Sequence, residues 1–117
     1  VRASFLEPRD FTRAPRAPDL SALVRRNYPA AARMYRHEGT VELRALILPD
    51  GTPSALRVES VDPSGRGFGE ACIRTVQHGP RWQPALNRNG FPVAAEASFV
   101  CPFRLEQASN SPQERRN

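Results

Sequence analysis

The sequence predicts an α+β fold, a three-stranded antiparallel sheet with two helices packed on one face, and three observations lead there. Residues 40–48 and 93–105 alternate apolar and polar side chains with the period of two that a half-buried strand requires. Residues 68–77 change to a period near 3.6, which is a helix with one apolar face. Turn residues at Pro49-Asp50-Gly51, Asp62-Pro63-Ser64-Gly65 and Gly79-Pro80 punctuate the periodic runs.

Taken in order, Pro18-Asp19 followed by Leu20, Leu23 and Val24 reads as a capped short helix, with Asp19 as the N-cap, or as a spacer end docked on the domain. Asn27-Tyr28-Pro29 opens a second helical turn, with proline near its start, and Gly39 is expected to stop it. In the first strand Val41, Leu43, Ala45 and Ile47 share one face, opposite Thr40, Glu42 and Arg44. Pro49-Asp50-Gly51 then turns the chain into a return strand at 54–61, with Leu56 and Val58 inward and Arg57 and Glu59 outward. Phe68, Ala71, Cys72, Thr75 and Val76 form the buried helical face. In the last strand Val93, Ala95, Ala97, Phe99, Cys101, Phe103 and Leu105 lie opposite Glu96, Ser98 and Arg104.

The chain has 117 residues, enough for one small domain. Twelve prolines fall mostly outside the periodic segments. Residues 1–27 therefore read as a proline- and arginine-rich spacer end, 28–105 as the domain and 106–117 as a disordered tail. The start at Val1 reads as that of a fragment or a processed chain, with no signal-peptide pattern and no apolar run near the roughly 20 residues that span a bilayer. The net charge is +5, and every basic residue is arginine. The arginines are scattered and no aromatic platform interleaves them, so nucleic acid is not the expected partner.

Catalysis and metal binding find little support. The chain lacks a nucleophile elbow of the form Gly-x-Ser-x-Gly, and its two histidines, His37 and His78, fall at helix ends where a cation is favoured. Cys72, Cys101 and the histidines do not make a paired zinc spacing, so no metal and no cofactor is expected. Gly65, Gly67 and Gly69 lack the parallel βαβ context of a phosphate cradle and read as loop flexibility ahead of a helix. Trp82 reads as packing for the helix-to-strand connection. Cys72 and Cys101 both point into the helix–sheet interface by periodicity. They read as a disulfide in an oxidising compartment, or as two buried thiols in a reducing one.

The succession Tyr28-Pro29, Glu38-Gly39-Thr40-Val41, Pro49-Asp50-Gly51, Arg81-Trp82-Gln83-Pro84-Ala85, Asn89-Gly90-Phe91-Pro92-Val93 and Pro102-Phe103-Arg104-Leu105 resembles the C-terminal domain of the TonB family of energy transducers. The resemblance implies a periplasmic domain that is no enzyme, anchored to the inner membrane by a segment preceding this sequence. It implies a force-transmitting adapter that takes the TonB box of an outer-membrane transporter as an added strand. Energy would come from an inner-membrane proton-driven motor of the ExbB–ExbD type. Carried onto this chain, the docking strand is centred on residues 97–105. Because Pro102 has no N–H to give, either pairing is expected upstream of it, at Ala95, Glu96, Ala97, Ser98, Phe99, Val100 and Cys101, or the edge is blunted there against unwanted pairing. Tyr28 and Pro29 are expected to flank the partner. The cysteine pair departs from the best-known transducers and marks a divergent branch. A second reading of the same fold is a non-enzymatic envelope interaction or scaffold module, self-associating through the same edge.

Overall fold

The computed structural model describes residues 11–105. The proposed tail at 106–117 and the first ten residues of the spacer lie outside the described residues. The elements are α1 (Ser21–Arg26), α2 (Ala30–Met34), β1 (Gly39–Ile47), β2 (Pro53–Asp62), α3 (Phe68–Gln77), β3 (Ala85–Leu86), β4 (Pro92–Val93) and β5 (Ala95–Phe103). The main sheet has the order β2-β1-β5, antiparallel throughout, and a separate ribbon pairs β3 with β4.

Alternation along β1 buries Val41, Leu43, Ala45 and Ile47, the four residues on its expected inward face. The helical face of α3 is equally faithful, since Phe68, Ala71, Cys72, Thr75 and Val76 are all fully buried. Thr75 tolerates this because its hydroxyl donates to the Ala71 carbonyl and accepts from the Asn27 side-chain amide. Cys72 and Cys101 are joined as a disulfide across this interface, with Cα atoms 5.8 Å apart. An aromatic cluster of Tyr28, Phe68 and Phe103 closes one end of the core, with ring centroids 4.9–5.8 Å apart. Trp82 packs edge-on against Phe99 and is buried, as expected of a packing residue. At the β1–β2 turn Gly51 adopts φ +89° and Asp50 accepts from the Thr52 amide. These contacts hold Asp50 below the usual carboxylate range, chiefly through that amide bond.

Several expectations need correction. Gly39 does not stop α2. Arg36 does so, in the left-handed conformation at φ +60°, while the next amide, of His37, reaches back to the Ala32 carbonyl. The helix therefore ends before Gly39, which is already in β1 and lies so close to Phe68 that a Cβ would come within 2.6 Å of the ring. Asp19 sits one residue ahead of the cap position, which Leu20 occupies. Its carboxylate still accepts from the Ser21 amide and hydroxyl, and those bonds lower its pKa. Val58 is on the expected face, opposite buried Leu43 and beside Gly69, but it is 36% exposed because β2 is the outer strand and a hollow between it and α3 leaves the side chain part open. The long last strand is two strands: Pro92–Val93 pairs with β3, and only Ala95–Phe103 joins the main sheet. A third helix, α1, buries Leu20 and Val24 in the common core, which thus extends N-terminal of Tyr28.

Tyr28 makes a testable contribution. Its phenol donates to the His37 carbonyl, tying the start of α2 to the approach of β1. Burial, with help from the Glu38 carboxylate, raises its pKa above the usual 10.0. The folded state thus holds this proton more tightly than the unfolded chain does. The associated stability is fully present below about pH 10 and is lost as pH rises further. Tyr28→Phe should cost about 1 kcal/mol at neutral pH and flatten that alkaline decline. Urea midpoints measured across the alkaline range for both proteins test this, and parallel pH profiles would refute it.

Candidate functional site: the β5 edge and its groove

β5 pairs only with β1, so its other side is a sheet edge among the described residues. The direction of its backbone groups follows from the hairpin. Leu48 donates its N–H to the Thr52 carbonyl and accepts from Gly51, so position 48 faces β2. Successive residues of a strand alternate, which turns the even-numbered residues of β1 toward β2 and the odd-numbered ones toward β5. The β1–β5 register runs without interruption from Gly39↔Phe103 to Ile47↔Ala95. Odd-numbered residues of β5 are therefore bonded to β1. The even-numbered ones, Glu96, Ser98, Val100 and Pro102, turn their main-chain groups outward. Pro102 fits this phase, because a proline facing β1 would leave a gap in the ladder.

A groove of about 690 Å³ runs beside this edge, between β5 and α1. Leu20, Val24, Tyr28, Phe99, Pro102 and Leu105 give it an apolar lining. Three guanidinium groups border it, those of Arg25, Arg33 and Arg104, against one carboxylate, that of Asp19. Arg33 lies 4.8 Å over the Tyr28 ring centroid and donates to the Arg25 carbonyl at 2.8 Å. Arg104 donates to the Gly39 carbonyl and the Thr40 hydroxyl. These bonds fix the rim charges in place without neutralising them.

The sequence-derived site residues fall in three groups. Glu96, Ser98 and Val100 occupy outward positions on the edge, and Val100 is 51% exposed. Glu96 is also held by Arg44 at 3.3 Å and Arg57 at 3.4 Å on the open face of the sheet. Ala95, Ala97, Phe99 and Cys101 face the helices. Cys101 is sealed under α3 by its disulfide, so of these Phe99 is the one that reaches the groove. Tyr28 forms part of the groove, but Pro29 lies away from it. Pro29 lines a second hollow between α3 and β2, beside Gly67 and Phe68. Sequence reasoning missed Leu20, Val24, Arg25, Arg33 and Arg104, because three separate segments supply them. The apolar spacing of Leu20 and Val24 was the one available signal.

Among the described residues, no cluster of histidine, cysteine or acidic side chains is placed to hold a metal ion. No helix among them is long and apolar enough to cross a membrane. What the arrangement offers is a strand-shaped contact: main-chain donors and acceptors at alternate positions, with an apolar, positively rimmed channel alongside. A search of curated proteins gave no match to the chain. The family model of the Gram-negative bacterial TonB protein C-terminal region matches residues 24–105, which covers α1 in part and every later element. The chain therefore belongs to the TonB C-terminal family, whose domains are protein-interaction modules of the Gram-negative envelope with a role related to transport.

Proposed function

We propose that the domain is a periplasmic force-transmitting adapter that takes the TonB box of an outer-membrane transporter as a fourth strand along β5. The observation that carries this reading is the phase of β5. Its outward main-chain groups are at Glu96, Ser98 and Val100, beside a groove able to receive alternate side chains of an added strand. Affinity would come from main-chain bonds, and selectivity from the side chains that enter between Phe99 and α1. Arg25, Arg33 and Arg104 favour a segment with an acidic residue on the groove side, with the attraction weakening as salt rises. An anchor in the inner membrane and a proton-driven motor of the ExbB–ExbD type would supply the force through the chain preceding the domain.

The test is an NMR titration of the isotope-labelled, oxidised protein with N-terminal peptides of outer-membrane transporters from the same organism. Shifts are expected at the amides of Glu96, Ser98 and Val100 and in Val24 and Tyr28. Shifts elsewhere with a silent β5, or no response to any peptide, would overturn strand addition. In that case the same open edge favours the second reading, a scaffold module that pairs with its own copy, visible as concentration-dependent sedimentation.

A further inference from the structure

We infer that residues 12–16 form a tension-released arm, fastened to the domain by hydrogen bonds that yield before the core does. The arm lies antiparallel to residues 83–86, joined to them by two isolated bridges, Arg13↔Leu86 and Arg16↔Gln83. Four main-chain bonds hold it: Thr12 to Leu86, Leu86 to Arg13, Arg16 to Gln83 and Gln83 to Arg16, each written from donor to acceptor. The Arg13 guanidinium adds a bond to the Pro84 carbonyl at 2.6 Å, and the Thr12 hydroxyl one to Asn87 at 2.9 Å. The arm thus lies along β3 and the residues just before it, on the side that β4 leaves free.

Its fastening differs in kind from that of the rest of the fold. From Phe11 to Asp19 no side chain is fully buried, whereas Leu20 is the first residue in the core. Hydrogen bonds at a wet edge contribute little net stability each and open locally, whereas buried apolar contacts give way only with the domain. A pull on the preceding chain meets Thr12 first and then the bonds toward Arg16 in turn. Release frees eight residues, Thr12 to Asp19, which span roughly 27 Å when extended at about 3.4 Å each. Load then falls on Leu20 and α1, the element that walls the docking groove. The use of this slack in transmitting force rests on the proposed adapter function. The separate release of the arm does not.

The experiment is constant-force magnetic tweezers on the full oxidised chain held by its two termini, with no peptide present. A first extension of no more than about 27 Å should occur at lower force than the main unfolding step. In Thr12→Pro/Arg16→Pro, which removes both arm amide donors, that early step should vanish while the main step keeps its force. No event ahead of global unfolding, or an early step that survives in the variant, would overturn the inference. Hydrogen exchange supplies a second readout. The Thr12, Arg16, Gln83 and Leu86 amides should exchange well ahead of those of β1, and equal protection would make the arm an integral part of the core. The variant should show the same peptide-induced shifts at β5 as the parent, so failure of docking and failure of arm release are read separately.

Discussion

Cys72→Ser is expected to remove about 3–4 kcal/mol of stability from the oxidised protein and far less from the reduced one. The bond spans 29 positions in sequence, and chain-entropy reasoning for a loop of that size gives roughly 3.6 kcal/mol. The two sulfurs sit in the fully buried interface between α3 and β5, so serine also places a hydroxyl where no partner has been provided. The double variant Cys72→Ala/Cys101→Ala separates these terms by removing the cross-link without adding a polar group. Denaturant titrations with and without reductant decide the matter. If Cys72→Ser loses as much stability relative to its parent in reductant as without it, the cross-link contributes nothing and the cysteines matter only for packing. The same bond pins β5 between Val100 and Pro102, in the middle of the candidate docking strand.

Val100→Pro should weaken peptide docking about tenfold or more while the domain stays folded. The Val100 N–H points away from β1, and its side chain stands half in solvent on the open face. Proline therefore takes a donor from the incoming strand and none from the existing ladder, as Pro102 already does two residues on. Some loss of stability is expected from the fixed φ, on the order of 1 kcal/mol. Phe99→Pro is the informative partner. That N–H faces β1, so the substitution breaks the sheet and should unfold the protein or nearly so. Matching effects of the two prolines, whether both benign or both unfolding, would show that the assigned phase of β5 is wrong.

Much of this fold was legible because β1, β5 and α3 bury one face each. Val41 to Ile47 and Phe68 to Val76 carry periods that only one structure satisfies, and the facing positions of Cys72 and Cys101 followed from those periods. What escaped was held by the backbone rather than by side chains. The arm at Thr12 to Arg16, the two-residue strands β3 and β4, and the left-handed Arg36 have no periodic signature, since any side chain permits a main-chain bond. For the same reason β5 was read too long. Val93 continues the alternation of Ala95 and Ala97, and nothing in its side chain reports that it pairs with Ala85 instead. The family resemblance points to β5 as the candidate docking edge but not to the groove beside it, because Arg25, Arg33, Phe99 and Arg104 meet only after folding.

The two borders of the sheet are unequal. Along β2 the ladder slips twice, near Glu59 and near Ala55, which adopts φ +50°. A strand so interrupted has no evenly spaced row of donors to template another chain. β5 is regular over its whole length. Among the described residues the main sheet thus has one regular edge. A strand added along β5, or a copy met there across a two-fold axis, would occupy that edge and leave the main sheet no second regular one to pass the pairing on.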